Sequence, residues 1–212
     1  MPDQVYQPPY DSPIEDIFAW HCQKYLQQGV GLDSQVEFKT HHGVFRVDFV
    51  LVTENTNRVG VECDGRDFHE PFRDEFRDAI LLGEGHLGTL YHFRGCDITY
   101  YPEDCIWLMS TLDPDLFSER GRPQLSYLHR LEIVSVLSSP ESYVLRSLPG
   151  EPKYRFWAFR RSVDVKSHAN PTGWPHWRVL YRFACEHPLA SLDELIKLNF
   201  ANLSRNSKIR EF

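Results

Sequence analysis

Two segments near the middle of the chain alternate apolar and polar positions with a period of two. They are Val44–Val52 and Arg58–Asp64, joined through the polar segment TENTNR. This period is typical of half-buried strands, and a short polar link between two of them predicts an antiparallel hairpin. If the turn centres near Asn55, Asp48 and Glu62 lie directly opposite each other, with Cβ atoms roughly 4.5–5.5 Å apart.

The alternation sorts the side chains of this hairpin onto two faces. One face is predicted to carry Phe45, Val47, Phe49, Leu51, Val59, Val61 and Cys63. The other carries Arg46, Val50 and the carboxylates of Asp48, Glu62 and Asp64. Carboxylates in apolar strands cost free energy unless they are exposed, paired or bound to a metal, and their mutual repulsion adds to the cost. Mg²⁺ or Mn²⁺ would offset it, because hard cations take oxygen ligands. The alternative is a solvated face on which Arg46 pairs with an acid.

A helix is predicted before the hairpin. Ser12 is a suitable N-cap, Pro13 suits the first helical position, and Glu15 completes a capping box. The apolar face of the helix is formed by Ile14, Ile17, Phe18 and Tyr25, and the glycines at 29 and 31 end it. Glu15 therefore has two roles open to it, as the capping residue or as a further acid that reaches the cluster.

A second helix is predicted from Pro71 to about Gly83, because Phe72, Phe76 and Ile80 recur at helical spacing. Another face of this helix carries Arg73, Asp74, Arg77 and Asp78. Such a pattern is usually a salt-bridged, solvated flank. If that flank borders the acid cluster, Arg77 could instead hold a phosphate.

Further strands are predicted at Val36–Thr40 and Thr89–Phe93, and a closing helix at Glu103–Leu112. The predicted order of elements over residues 12–112 is αβββαβα. In the remaining half, strands are predicted at Leu131–Leu137, Tyr143–Leu148 and Tyr154–Val165.

The last forty or so residues are predicted to be helical. The predicted helices are Trp177–Cys185, Ser191–Asn199 and Ser204–Glu211, with a short link at residues 200–203. This arrangement is typical of a helix-turn-helix or winged-helix unit, and a small helical bundle is the alternative. In a winged-helix unit the last helix reads DNA. That helix would present Arg205, Asn206, Lys208 and Arg210.

The net charge of −7 is unevenly distributed. Residues 1–150 contain 12 Lys and Arg against 24 Asp and Glu, and residues 151–212 contain 11 against 6, which gives −12 and +5. An acidic part that needs cations and a basic part that binds phosphates suit an enzyme acting on nucleic acid.

The chain has no apolar run near the roughly 20 residues that span a bilayer, and its start, MPDQVYQPPYDSP, lacks the features of a signal peptide. Its five cysteines are widely spaced and expected to be reduced. These features predict a cytoplasmic protein without a membrane partner. A structural zinc site of Cys96 and Cys105 with His42 or His92 stays an alternative, although paired ligand spacings are missing.

Glu15 and the segments FRVDFVL, VECDGRDFHE, RDEFRDAILLGEG and TLYHFRGCDI together resemble the PD-(D/E)XK nuclease superfamily. Within it, the likeness is closest to very-short-patch-repair endonucleases and their bacterial relatives. The resemblance covers roughly residues 12–112. It implies an α/β, restriction-endonuclease-like αβββαβα core with a mixed sheet, which hydrolyses DNA phosphodiester bonds. Residues 113–212 would then form a basic α+β extension, of winged-helix type in one reading.

The resemblance also implies roles for individual residues. Asp48 matches the central metal ligand, Glu62 the second acidic ligand and the Cys63 carbonyl a backbone ligand. His69 matches a histidine proposed as general base in the short-patch enzymes. Asp64 occupies the place where many members of the superfamily carry lysine.

No lysine occurs between Lys39 and Lys153. In an active site of this kind, His69, Arg66 or Arg77 must therefore supply the function of the lysine. Asp64 would either join a second metal position or orient His69 and Arg66.

The leading hypothesis is a Mg²⁺- or Mn²⁺-dependent DNA endonuclease. One alternative is a nuclease-fold module that binds DNA or protein with little catalysis. Another is the nuclease subunit of a transposition or defence complex. The sequence leaves open whether the protein acts as a homodimer or with a partner protein.

Overall fold

The computed structural model describes residues 8–53, 57–65, 71–134, 156–160 and 177–209. The predicted α/β class is confirmed. The helices are α1 Pro13–Cys22, α2 Pro71–Gly83, α3 Gly95–Tyr100, α4 Pro102–Leu112, α5 Gly121–Leu128, α6 Leu131–Val134, α7 Trp177–Glu186 and α8 Leu192–Ile209. The strands are β1 Gly31–Thr40, β2 Gly43–Val52, β3 Arg58–Asp64, β4 Thr89–Arg94 and β5 Phe156–Arg160. Among the described helices, none is long and apolar enough to cross a membrane.

The strands form one open, mixed sheet in the order β1-β2-β3-β4-β5. Strands β1 to β3 form an antiparallel meander, β3 and β4 are parallel, and β5 pairs antiparallel with β4 at the edge. Parallel neighbours need a crossover connection, and α2 provides it. Residues 12–112 thus follow the predicted order of elements, with the short helix α3 added between β4 and α4.

Buried side chains form an apolar cluster on each face of the sheet. On one face α1 and α4 cover the sheet, through residues such as Phe18 and Ile106. On the other face α2, α7 and α8 pack together, through residues such as Phe76, Leu180 and Leu195. Elements beyond residue 112 contribute to both clusters, so the predicted parts 12–112 and 113–212 share a hydrophobic core; the boundary between them stays a prediction.

Strand β2 departs from the predicted alternation at Asp48. Phe49 and Leu51 lie in the cluster under α1, whereas Phe45 and Val47 lie in the cluster under α2. The prediction that these four residues share a face is therefore wrong. The cause is a local distortion of both strands: Gln35 of β1 has a φ of 52°, and the ladder pairs Ser34 with Phe49 and Val36 with Val47 but skips Gln35 and Asp48 between them. Asp48 marks the position where β2 exchanges its two faces.

One predicted helix and one predicted strand differ in the structure. Helix α1 ends at Cys22, well before the predicted glycines. Leu131–Val134 forms a helical turn instead of the start of a strand. The third predicted strand of this half is confirmed as β5, while the predicted strand Tyr143–Leu148 lies outside the described residues.

Helix α8 is continuous from Leu192 to Ile209, so the predicted link at residues 200–203 and the separate helix after it are wrong. The link sequence FANL contains neither glycine nor proline, and nothing in it ends a helix. Arg205, Asn206 and Lys208 consequently belong to the final turns of α8, and Arg210 lies outside the described residues. Their contact with DNA stays a prediction.

Gly60, in the middle of β3, provides a test of the packing between the sheet and its α2 face. A Cβ atom at this position would lie 2.7 Å from Leu90 Cδ1 and 2.8 Å from Leu87 Cδ1. Because both leucines are fully buried, we expect Gly60→Ala to lower the free energy of unfolding by about 1–3 kcal/mol in urea titrations. Gly65→Ala is the control, since an added Cβ there has no neighbour within 4 Å. Equal midpoints for the two variants would contradict the expectation.

Candidate functional site

The site lies where β2 and β3 diverge. The last ladder pair of the two strands is Phe49 with Val61, and continuing that register by one residue places Asp48 opposite Glu62, as predicted. The ladder does not continue, and the Asp48 side chain takes over: its Oδ2 accepts a hydrogen bond of 2.8 Å from the Cys63 main-chain N–H. The Asp48 carboxylate is thus fixed against the end of β3.

Glu15 reaches this carboxylate from the first turn of α1. Its amide donates to Ser12 Oγ at 3.3 Å, and its Oε1 accepts from the same hydroxyl at 2.7 Å, so the predicted capping interaction is present. Its Oε2 accepts from Gln35 Nε2 at 2.8 Å, and that nitrogen also lies 3.4 Å from Asp48 Oδ1. Burial raises the pKa of Glu15 against the effect of these hydrogen bonds, and the charge of Asp48 raises it further. The capping role of Glu15 is confirmed, and Gln35 links its carboxylate to that of Asp48; its role as an acid of the site stays a prediction.

Glu62 is a buried carboxyl group that forms an ion pair with Arg77. Arg77 Nη2 lies 3.0 Å from Glu62 Oε1, yet this oxygen accepts no well-aligned hydrogen bond from the described residues. Burial raises the pKa of Glu62 to about 8; Arg77 opposes this shift, and Asp48 adds to it. Arg77 is therefore not part of a solvated flank. Its guanidinium group partly stabilises the charged form of Glu62, which burial disfavours.

Asp64 belongs to a different arrangement from Asp48 and Glu62. His92 of β4 lies between two buried carboxylates, with Nδ1 3.3 Å from Asp64 Oδ2 and Nε2 2.8 Å from Asp78 Oδ2. Burial alone would lower the pKa of His92, but the charges of Asp78 and Asp64 outweigh it and raise the pKa well above its usual value. The imidazole is thus held as a cation, and we call these three residues the buried ion-pair network.

Sequence patterns predict Asp78 only as part of the helix flank and His92 only as a ligand of the alternative zinc site. The one signal for His92 was a histidine inside the apolar strand TLYHFR. Its neighbourhood depends on the parallel register of β3 and β4, which pairs Glu62 with His92. No local pattern in the sequence encodes that register.

Two predicted site residues, Arg66 and His69, lie outside the described residues, so the base role of His69 and its link to Asp64 stay predictions. Arg46 pairs with an acid, as the solvated-face alternative expected, and that acid is Asp11, at 3.6 Å. Within the described ranges, no group of three His, Cys, Asp or Glu side chains converges as a metal-binding set. His42 Nδ1 instead donates to the Ala190 carbonyl at 2.8 Å.

Glu62 also gives the site a pH-dependent stability. Its pKa is raised from 4.5 to about 8, so between these values the unfolded chain loses a proton that the folded protein keeps. Stability therefore falls as pH rises through this window. Glutamine at this position has no proton to lose. In metal-free buffer we therefore expect the unfolding free energy of Glu62→Gln, relative to that of the wild type, to rise by roughly 2–4 kcal/mol as the pH rises from about 5 to about 8.

The measurement is a set of urea titrations in the presence of a chelator, with Glu37→Gln as the exposed control on β1. The expectation would be contradicted if the unfolding free energies of the wild type and of Glu62→Gln changed equally with pH over this window.

Comparison of the chain with family models, curated proteins and solved structures finds no match. Its function must be inferred from its own residues. Those that the structure brings together are Glu15, Asp48 and Glu62, with Arg77 at their edge.

Proposed function

We propose that this protein is a Mg²⁺-dependent endonuclease that hydrolyses DNA phosphodiester bonds. The observation that carries the proposal is the Asp48 carboxylate, fixed by the Cys63 amide where β2 and β3 diverge, with Glu62 opposite and Glu15 beside it. The order α1-β1-β2-β3-α2-β4, with β3 and β4 parallel, agrees with the core expected for PD-(D/E)XK nucleases and supports the proposal.

The residues at the site fit a hard divalent cation. Asp48, Glu62 and the Cys63 carbonyl would hold it, and all three supply oxygen ligands. Mg²⁺ commonly keeps several waters and binds through one or two carboxylates, so a third acidic ligand is not required. The buried carboxyl group of Glu62, with its pKa near 8, is better matched by a divalent cation than by Arg77 alone, because such an ion stabilises the charged form.

When bound, the cation supplies an activated water and neutralises charge on the attacked phosphate. The chain's own residues do the positioning. The Cys63 amide and Gln35 keep the Asp48 carboxylate from rotating. His69 would accept the proton of the attacking water. The cationic function of the missing lysine falls to Arg77, which lies beside Glu62.

A second candidate function is a nuclease-fold module that binds DNA or a protein without cutting. The observation that favours it is the pairing of Asp64, which stands at the position of the usual lysine, with the buried His92. In that case Glu15, Asp48 and Glu62 would be the remnant of a catalytic site in which a structural ion pair has replaced the usual lysine.

Incubation of the full chain with supercoiled plasmid DNA tests the two functions against each other. The endonuclease predicts nicked and linear DNA in Mg²⁺ or Mn²⁺ and intact plasmid in excess chelator. The binding module predicts a mobility shift of the DNA with no cleavage in either condition. Linear, mismatched and single-stranded DNA and RNA, assayed in parallel, identify the preferred nucleic acid. Failure to cut any of these with either cation would overturn the endonuclease proposal.

A further inference from the structure

A cavity of about 400 Å³ lies next to the acid cluster, between the start of β2, helix α2 and the beginning of α8. Its polar lining includes Arg46, Arg73, Arg77, Asp74 and Asp193, with Ser191 at its edge. A cavity of this volume falls in the range of small-molecule sites and exceeds what a bare phosphate ion would fill. Its size is suited to a nucleotide.

The charges around this cavity differ from those of the chain as a whole. The lining itself carries three arginines and two aspartates, a formal charge of +1 in a protein whose net charge is −7. The other acidic partners of these arginines, Asp11, Glu62 and Asp78, lie outside the lining. Guanidinium groups bind phosphate oxygens through two parallel hydrogen bonds, which gives arginine its preference for such ligands. The chemistry of the lining therefore points to an anion with several oxygens.

Two of the arginines are held in place by weak partners. Arg46 pairs with Asp11 at 3.6 Å, and Arg73 pairs with Asp193; in both ion pairs each side chain is roughly half exposed. Exposed ion pairs of this kind contribute only about 0–1 kcal/mol each. A phosphate could replace the aspartates at little cost, while the pairs keep both guanidinium groups at the cavity before a ligand arrives.

The third arginine, Arg77, contacts both the cavity and the carboxyl group of Glu62. Arg77 lines the cavity, and its Nη2 lies 3.0 Å from Glu62 Oε1 and 3.4 Å from Asp78 Oδ1. Its side chain is four-fifths buried, so it has little freedom to leave this position. A ligand in the cavity and a cation at Glu62 would therefore both act on the same guanidinium group.

Helix α8 begins at the cavity and adds to its positive character. This helix has 18 residues, and its N-terminal end carries partial positive charge. The predicted capping box is present, because Ser191 N donates to Glu194 Oε2 at 2.7 Å and Glu194 N donates to Ser191 Oγ at 3.4 Å. Glu194 already offsets part of this charge, so the helix end supports the arginines and does not replace them.

We propose that this cavity binds the phosphate of a nucleotide, and that its occupancy and cation binding at Asp48 and Glu62 favour each other through Arg77. Without a cation, the guanidinium group of Arg77 lies against the Glu62 carboxyl group. Once Glu62 serves as a ligand of a cation, that guanidinium group becomes available to a phosphate in the cavity. Such coupling is reciprocal by thermodynamic linkage. The coupling rests on the proposed function, whereas phosphate binding in the cavity does not.

Calorimetry on the full chain in excess chelator tests the cavity by itself. The probes are inorganic phosphate, thymidine 5′-phosphate, the dinucleotide thymidylyl-thymidine, and thymidine as the ligand without phosphate. We expect the phosphorylated nucleotides to bind and thymidine not to bind. Arg73→Gln and Arg46→Gln should each weaken binding by about tenfold, as loss of a charge-assisted contact predicts. Arg122→Gln, at an exposed position of α5, should bind like the wild type.

Binding of the monophosphate alone assigns the cavity to a strand end, and binding of both nucleotides assigns it to the backbone; either result supports the proposal. Thymidine that binds as tightly as its phosphate would overturn it. Wild-type affinity for the nucleotides in both Arg46→Gln and Arg73→Gln would also overturn it.

Electron paramagnetic resonance of free Mn²⁺ tests the coupling independently of catalysis. We expect saturating thymidine 5′-phosphate to tighten Mn²⁺ binding about fivefold or more, in the range of typical coupling energies, and Arg77→Gln to remove this effect. Equal Mn²⁺ affinity with and without the nucleotide would overturn the coupling. Nucleotide binding in a protein that binds no Mn²⁺ would leave the cavity in place and count against the endonuclease. Cation-dependent cleavage of DNA without nucleotide binding would support the endonuclease and overturn the proposal for the cavity.

Discussion

Replacement of Asp48 by asparagine is expected to lower Mg²⁺-dependent cleavage of plasmid DNA by about 1000-fold or more, equivalent to roughly 4 kcal/mol of activation free energy. Asparagine has nearly the same shape as aspartate and keeps an oxygen that can accept the Cys63 amide hydrogen bond. It loses the negative charge that would hold the cation. The change should therefore abolish the proposed metal binding while it preserves the local geometry.

The measurement combines single-turnover cleavage with a thermal melt of the same preparation. Asp115→Asn, an exposed aspartate after Pro114, is the matched control for loss of one negative charge. We expect the melting temperature of Asp48→Asn to stay within a few degrees of wild type, as for a change of about 1 kcal/mol or less. Cleavage at the wild-type rate by this variant would rule out Asp48 as the central ligand.

Replacement of His92 by asparagine is expected to lower the free energy of unfolding by about 3–5 kcal/mol. His92 is the cation between Asp64 and Asp78, and all three side chains are buried. Its removal leaves two buried carboxylates that repel each other, and Arg77, 3.4 Å from Asp78, compensates them only in part. Breaking a buried ion pair at one partner costs far more than replacing the whole set.

The control for this variant is a protein in which Asp64, Asp78 and His92 are all changed to asparagine. If charge is the cause of the loss, the triple variant recovers much of the stability that the single variant loses. A triple variant as unstable as the single one would assign the loss to packing instead.

The pH dependence of the His92 effect has a defined sign. The pKa of His92 is higher in the folded protein than its usual value of 6.5. The stability it contributes is therefore fully present below about pH 6.5 and is lost as pH rises through the folded pKa. The gap in unfolding free energy between wild type and His92→Asn should narrow from neutral to alkaline pH. A gap that stays constant there would show that the imidazole is not held as a cation.

The hairpin and its opposed acids were predictable because they depend on local information. A polar link of defined length sets the register of β2 and β3 from Val52 with Arg58 to Phe49 with Val61, and with it the positions of Asp48 and Glu62. The capping residue Ser12 and the beginning of α2 at Pro71 were predictable for the same reason. In each case the deciding residues lie within a few positions of one another.

The remainder of the site depends on contacts between elements distant in sequence. The position of His92 follows from the parallel pairing of β3 with β4, and the cavity follows from the packing of α8 beside α2 and β2. The positive φ of Gln35 was equally hidden, because a non-glycine residue adopts it only where the surrounding structure compensates. The link predicted at residues 200–203 was wrong because a local signal was read too strongly. The polar segment after it suggested the start of a new helix, but no residue in the link ends helix α8.

The exchange of faces at Asp48 fixes the position of the site along β2. In a strand with regular alternation, a slip of two residues returns every apolar side chain to its original layer. In β2 the same slip would move Val47 to the place of Phe49, and thus across the sheet into the wrong layer. The two hydrophobic layers therefore hold β2 at a single register without help from the carboxylates. The acids of the site can vary in evolution, or be replaced in the laboratory, while the scaffold that aligns them stays in place.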